Sequence, residues 1–178
     1  MSKPAVAQPV KLVFSVFSSL VAKIDEAISM LAQLYSEPDF ISTLVPFDYT
    51  EYYCAEMGEN LVRRFLSMEE LIRPETLPDI KHAANNIEDK FIAGGQRLVN
   101  IDPGYICQAH LILATGKGYS HRPYLRDGIY ADLTLMYQNK KFCCLPWTYP
   151  DYAAENQLLM FEKIRTRYLL QLKQQKKN

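Results

Sequence analysis

The sequence predicts a single α+β domain, and three observations predict it. At 178 residues the chain lies in the range of one hydrophobic core. Hydrophobic residues make up 48% and charged residues 22%, close to globular averages, so there is enough apolar surface to offset the entropy of ordering. The apolar positions switch between strand-like alternation and helix-like spacing by three and four, with no linker, internal repeat or low-complexity tract between them. Read in order, the elements give β-α-β-β-α-β, a split-βαβ (ferredoxin-like) core, followed by antiparallel strands and a terminal helix. The expected domain is 1–178, with 1–9 and 173–178 frayed.

Val10–Phe17 is rich in Val, Phe and Leu and reads as a buried first strand. Ser18 or Ser19 is placed to cap a helix with the stripe Leu20, Ile24, Ile28, Leu31 and Tyr35, which Pro38 ends. Phe40–Phe47 reads as a strand, Tyr52–Met57 as extended, and Leu61–Met68 as one bulged strand or two short ones. Thr76-Leu-Pro-Asp79 has the pattern of a capping box, opening a helix with the stripe Leu77, Ile80, Ala84, Ile87 and Phe91 that Gly94-Gly95 stops. Arg97–Ile101 reads as the next strand.

Residues 103–115 carry two signals. Asp102-Pro103 suits a helix start and Gly116 a stop, yet Tyr105, Cys107, Ala109, Leu111 and Leu113 alternate as a strand would. The balance leans to helix. His121–Leu125, Tyr130–Tyr137 and Lys141–Leu145 read as antiparallel strands, joined by turns at Arg126-Asp-Gly128 and Gln138-Asn-Lys140. After Pro150 a helix carries Ala154, Leu158, Phe161, Ile164 and Tyr168 on one face. Trp147, the only tryptophan, is expected to be buried against that helix, at Leu158 or Phe161.

Formal net charge is zero, which gives no general signal for a nucleic-acid partner. Charge is unevenly placed, however. Residues 36–90 hold twelve acids and five bases, 91–126 four bases and one acid, and 153–178 six bases and two acids. The expectation is that these segments neutralise one another when packed, the alternative being a polar site. The run Leu12–Val21 is short and interrupted by serines, so no membrane span or signal peptide is read and the cytoplasm is the expected compartment. The four cysteines, at 54, 107, 143 and 144, contain no Cys-x-x-Cys pair and are expected as buried thiols.

No catalytic residue is legible. Thr115-Gly-Lys-Gly118 has a Gly-Lys pair but Gly where a phosphate loop needs Ser or Thr, and Leu111 where its first glycine belongs. No nucleophile elbow surrounds any serine, and His82, His110 and His121 lack metal-ligand spacing. The most suggestive stretch runs from Asp102-Pro-Gly104-Tyr105 to Gly116, Lys117, Gly118, His121, Arg122 and Tyr124. It sets glycine-rich backbone beside cations suited to anionic oxygens. A plain surface turn with solvated cations is the competing reading. Asp102, Asp132 and Asp151 are weaker candidates for a shared divalent ion.

The strings Pro46-Phe-Asp-Tyr-Thr50, Tyr52-Tyr53, Glu56-Met-Gly58, Val99-Asn-Ile-Asp-Pro-Gly-Tyr105, His121-Arg122, Gly128-Ile-Tyr-Ala131 and Trp147-Thr-Tyr-Pro-Asp-Tyr152 resemble a bacterial family known as domain of unknown function 4416. The resemblance spans nearly the whole chain. Some members are labelled GTP-binding, a label that no motif here supports, and Asp132 stands where that family more often has Glu. The resemblance implies one domain; it carries over no catalytic residues and leaves the cofactor unknown.

Three functions follow in order of expectation. The first is a domain binding a small anionic or nucleotide-like ligand. A scaffold or protein-interaction domain comes second, and a metal-assisted phosphoesterase third.

Overall fold

Val10–Ser18 (β1) is buried along its whole length, as a central strand with apolar side chains on both faces must be. The computed structural model describes residues 3–50 and 52–175. After β1 come α1 (Val21–Leu34), β2 (Pro38–Ile41), β3 (Val45–Pro46), the short α2 (Cys54–Met57) and the long β4 (Val62–Ile72). A 3₁₀ turn then leads into α3 (Leu77–Asp89), the two-residue strands β5 (Ile92–Ala93) and β6 (Gln96–Arg97), and β7 (Asn100–Ile106). The chain continues through β8 (His110–Thr115), β9 (Tyr124–Arg126), β10 (Ile129–Gln138), β11 (Lys141–Cys144), α4 (Pro150–Ala153) and α5 (Glu155–Gln175).

The strands lie in the order β11-β10-β8-β7-β1-β4-β2, with β3 added to β4 and β9 to β10, and every pairing is antiparallel. Only the β5–β6 hairpin stands apart. The result is one α+β domain in three layers. Leu12, Phe14 and Val16 of β1 pack with Ile24, Ile28 and Leu31 of α1 and Ile80, Ala84 and Ile87 of α3 on one face. The alternate side, with Val13, Phe65, Ile106, Leu111 and Leu135, is covered by Phe161 and Ile164 of α5. Two successive residues of one strand thus feed two cores, following the period-two alternation.

Several expectations are corrected. Residues 103–115 are a β-hairpin, not a helix. Ile101 turns its backbone N–H and C=O away from β1, towards Glu88 and Lys81 of α3. Pro103, two residues on, faces the same way, at a register where pairing with β8 has not begun, the first pair being Gly104–Leu113. A proline there forfeits no ladder bond, so a pattern that suits a helix start is accommodated in a strand. Tyr52–Met57 is not extended, because Cys54–Met57 forms a helical turn. Neither serine caps α1: Ser18 Oγ donates to Leu98 O and accepts from Leu20 N, while Ser19 Oγ donates to Met57 O. Thr76 does not cap α3, since its hydroxyl donates to Arg73 O. The last helix is broken at Ala154, whose ψ of 138° is extended. Its end is helical to Gln175. Of the termini expected to fray, residues 1–2 and 176–178 lie outside the described residues. The cysteines are less buried than expected: Cys107, in the β7–β8 turn, and Cys143 are half-buried, and Cys144 is exposed on the edge strand β11.

The uneven charge is resolved by packing. Acids of the 36–90 segment meet bases from both later segments, in Glu56–Arg97, Glu88–Arg97, Asp79–Arg126 and Asp39–Arg167. Lys11 of β1 is wholly buried under the end of α5, paired with Asp39 and donating to Gln171 Oε1 at 2.8 Å. Asp39 also accepts from Ser67. Burial lowers the Lys11 pKa, with Asp39 pulling against it.

Candidate functional site: a tyrosine-rich end of the sheet

Residues directly opposite in an antiparallel pair share a face. Ser15 lies opposite Phe65 and Asp102, and Phe17 opposite Arg63 and Asn100. The α5 side of the sheet therefore changes character along its length. It is apolar beneath α5 and polar at the end where β1 finishes and β4, β7 and β10 begin, with Ser15, Arg63, Asn100, Asp102 and Asp132. Four stretches meet over this end: 52–58, 97–99, 116–123 and 145–152.

The 116–123 loop is a tight turn, Arg122 N donating to Tyr119 O at 3.0 Å. Arg122 is tied down on three sides. Its Nε donates to Asp132 Oδ2 at 2.8 Å, its Nη1 to Lys117 O at 3.1 Å, and its Nη2 to the Tyr149 hydroxyl at 2.9 Å. Burial works against this charge, but Tyr149 and Asp132 more than offset it and its pKa is held above the usual arginine value. His121 sits alongside, its Nε2 buried without a hydrogen bond, 3.9 Å from Asp132 Oδ2. Lys117 is exposed, its ammonium 4.5 Å from the Tyr52 ring centroid and donating to the Tyr52 hydroxyl at 3.3 Å. It pairs with no carboxylate among the described residues.

Beside this loop, Asp102 accepts from Asn100 Nδ2 at 2.8 Å and lies 3.7 Å from Lys81 Nζ. Arg97 bridges Glu88, Glu56 and Asn100. Tyr53 stands between the two groups: burial pushes its phenol well up from the ordinary value, and Asp102 adds to the shift. Arg63, buried on β4, pairs with Asp151 of α4.

The model of the family described as Domain of unknown function (DUF4416) matches residues 8–168. The chain belongs to this family. No curated protein and no solved structure matches it.

In this DUF4416 chain the expected anion-binding residues divide. Lys117, Gly118, His121 and Arg122 are together, but Asp132 has taken Arg122, and Lys117 is the cation of the set without a carboxylate partner among the described residues. Gly116 is open, with nothing near a would-be Cβ, whereas a Cβ at Gly118 would lie 3.0 Å from the Tyr130 ring. Gly104 serves the sheet: a Cβ there would lie 2.4 Å from Ile112 O. Tyr124 packs edge-on against Tyr130, its hydroxyl accepting from Gly128 N. The three weak metal candidates are not gathered around one centre. Among the described residues no three His, Cys, Asp or Glu side chains are grouped to hold an ion. Asp102, Asp132 and Asp151 each face a different cation instead, Lys81, Arg122 and Arg63.

Trp147 is not buried under the last helix. It is 37% exposed, and its Nε1 donates to Leu133 O at 2.8 Å, because residues 145–148 form a turn beside β10, closed by Thr148 N donating to Leu145 O. Tyr152 takes the anchoring role, stacked on Phe161 at 5.7 Å and edge-on to Phe65. Sequence reasoning passed over Tyr52, Tyr53, Tyr149 and the Arg63–Asp151 pair. The signals available were the density of tyrosine in the 49–53 loop and an arginine within a strand otherwise rich in apolar residues.

Proposed function

We propose that this domain binds a small anionic ligand with a flat, nucleotide-like ring at the tyrosine-rich end of its sheet. One observation carries the reading. Lys117 is a cation without a carboxylate partner among the described residues, on a glycine-flanked loop, beside the exposed rings of Tyr52, Tyr119 and Tyr149. Aromatic faces next to a free ammonium suit a ring bearing an anionic group. Arg122 and Asp132 brace the loop in this reading and do not touch the ligand. A cytoplasmic location goes with the proposal, and among the described residues no helix is long and apolar enough to cross a membrane.

A thermal-shift screen with nucleotides and phosphorylated metabolites tests it. A ligand at 100 times its Kd stabilises by about 2.7 kcal/mol, which raises the Tm of a domain this size by roughly 5–10 °C. Lys117→Ala removes that shift and leaves the unliganded Tm in place. No shift with any compound gives the field to the scaffold reading.

A further inference from the structure

The Arg63–Asp151 pair is built unlike a fastening. Arg63 is 4% exposed, and its guanidinium carbon lies 4.1 Å from the Phe47 ring centroid, 5.2 Å from Phe65, 5.3 Å from Phe17 and 5.6 Å from Tyr152. A guanidinium offers five donors in a planar fork. Here Nη1 reaches Asp151, while the buried Nε has no partner. One strand over on the same face, the Ser15 hydroxyl is 1% exposed and makes no hydrogen bond of good geometry, the nearby Tyr152 phenol being its neighbour. Leaving buried donors unmade is costly, and a buried ion pair contributes little stability compared with apolar packing of the same volume.

The carboxylate comes from a short piece of chain. α4 is a single turn, Pro150–Ala153, set between extended residues on both sides, Tyr149 (ψ 140°) and Ala154 (ψ 138°). An isolated turn has little helical stability of its own, so α4 is held by the Asp151 carboxylate and by the buried Tyr152 ring on Phe161 and Phe65, both of which must leave for the turn to open.

We propose that α4 is a lid and that Asp151 is the internal occupant of an oxyanion site at Arg63. When the lid swings out, the carboxylate of a small ligand replaces Asp151 on the guanidinium fork, with Arg63 Nε and Ser15 Oγ as the further donors. With Tyr152 carried off on the lid, a single cation between Phe17, Phe47 and Phe65 selects a monocarboxylate with an apolar body. This site is separate from Lys117 and stands whether or not Lys117 binds a ligand.

The test uses benzoate, with chloride at equal ionic strength as control. In the wild-type chain, benzoate increases amide hydrogen exchange at residues 151–154 several-fold, because it competes with Asp151. Asp151→Asn, which keeps the side-chain shape but drops the competing charge, gains a saturable rise in Tm with benzoate, and adding Arg63→Gln abolishes it. Exchange at 151–154 that benzoate leaves unchanged overturns the proposal, even if Asp151→Asn fails to fold. A benzoate shift that survives in the double variant overturns it as well.

Discussion

The imidazole of His121 and the indole of Trp147 lie face to face, ring centroids 4.7 Å apart and planes 15° apart. This stack joins the 116–123 loop to the turn beside β10, and the Trp147 N–H fixes the indole by bonding Leu133 O. The energy at stake is that of an aromatic pair and one hydrogen bond rather than of a core residue. Trp147→Phe, which keeps a ring but loses the donor, should cost about 1 kcal/mol. Trp147→Ala should cost roughly 1–3 kcal/mol. Urea midpoints measure both, and a loss as large as that of a fully buried aromatic would contradict the half-exposed placement.

Two glycines of the same candidate set should respond oppositely to one methyl group. Gly104→Ala drives a Cβ into Ile112 O and the Leu113 side chain, at 2.4 and 2.7 Å, and backbone cannot step aside as a flexible side chain can. The expected loss is about 1–3 kcal/mol or more. Gly116→Ala meets nothing within 4 Å and should stay within about 0.5 kcal/mol of wild type. Thermal unfolding of the two variants side by side checks the contrast.

How much of this was legible beforehand follows from what each feature depends on. The stripes of α1, α3 and α5 and the buried β1 are local periodicities, so composition and spacing reveal them. The β7–β8 hairpin was hidden because Asp102-Pro103-Gly104 has the chemistry of a helix start. Only the missing β8 partner at Pro103 makes the strand acceptable, and that is a fact about a neighbour. Lys117, His121 and Arg122 were visible as a cluster because they are close in sequence. That Arg122 is spent on Asp132 and Tyr149, ten and twenty-seven residues away, depends on tertiary contacts.

Removing one partner of the buried Lys11–Asp39 contact should be worse from one side than from the other. Asp39→Ala leaves the wholly buried Lys11 ammonium with only Gln171, and uncompensated buried charge costs about 3–5 kcal/mol. Lys11→Met fills the space with an apolar chain, while Asp39 keeps Ser67 and Arg167. It should be the milder change by denaturant midpoint.

His110, half-buried on β8, should make the fold acid-sensitive. Burial lowers its pKa below the ordinary 6.5. Between that folded-state value and 6.5 the unfolded chain binds the proton more readily, so stability is complete above this window and is lost as pH falls through it. His110→Gln should flatten the profile there, read as Tm against pH. An unchanged slope would show that His110 is as solvated in the folded chain as in the unfolded one.

Lys81 and Glu88 of α3 hold the carbonyl and the amide of a single residue, Ile101, on the stretch of β7 that β8 leaves bare. They are seven positions apart, two helical turns, so they project from one flank of the helix. Together they supply the rungs that a neighbouring strand would have supplied. The helix is thereby indexed to the strand: sliding α3 by one turn, about 5.4 Å, would strand a buried ammonium, a buried carboxylate and both backbone groups at once. An insertion or deletion between Thr76 and Asn100 thus has to be absorbed in the 90–97 hairpin, leaving the spacing of Lys81 and Glu88 untouched.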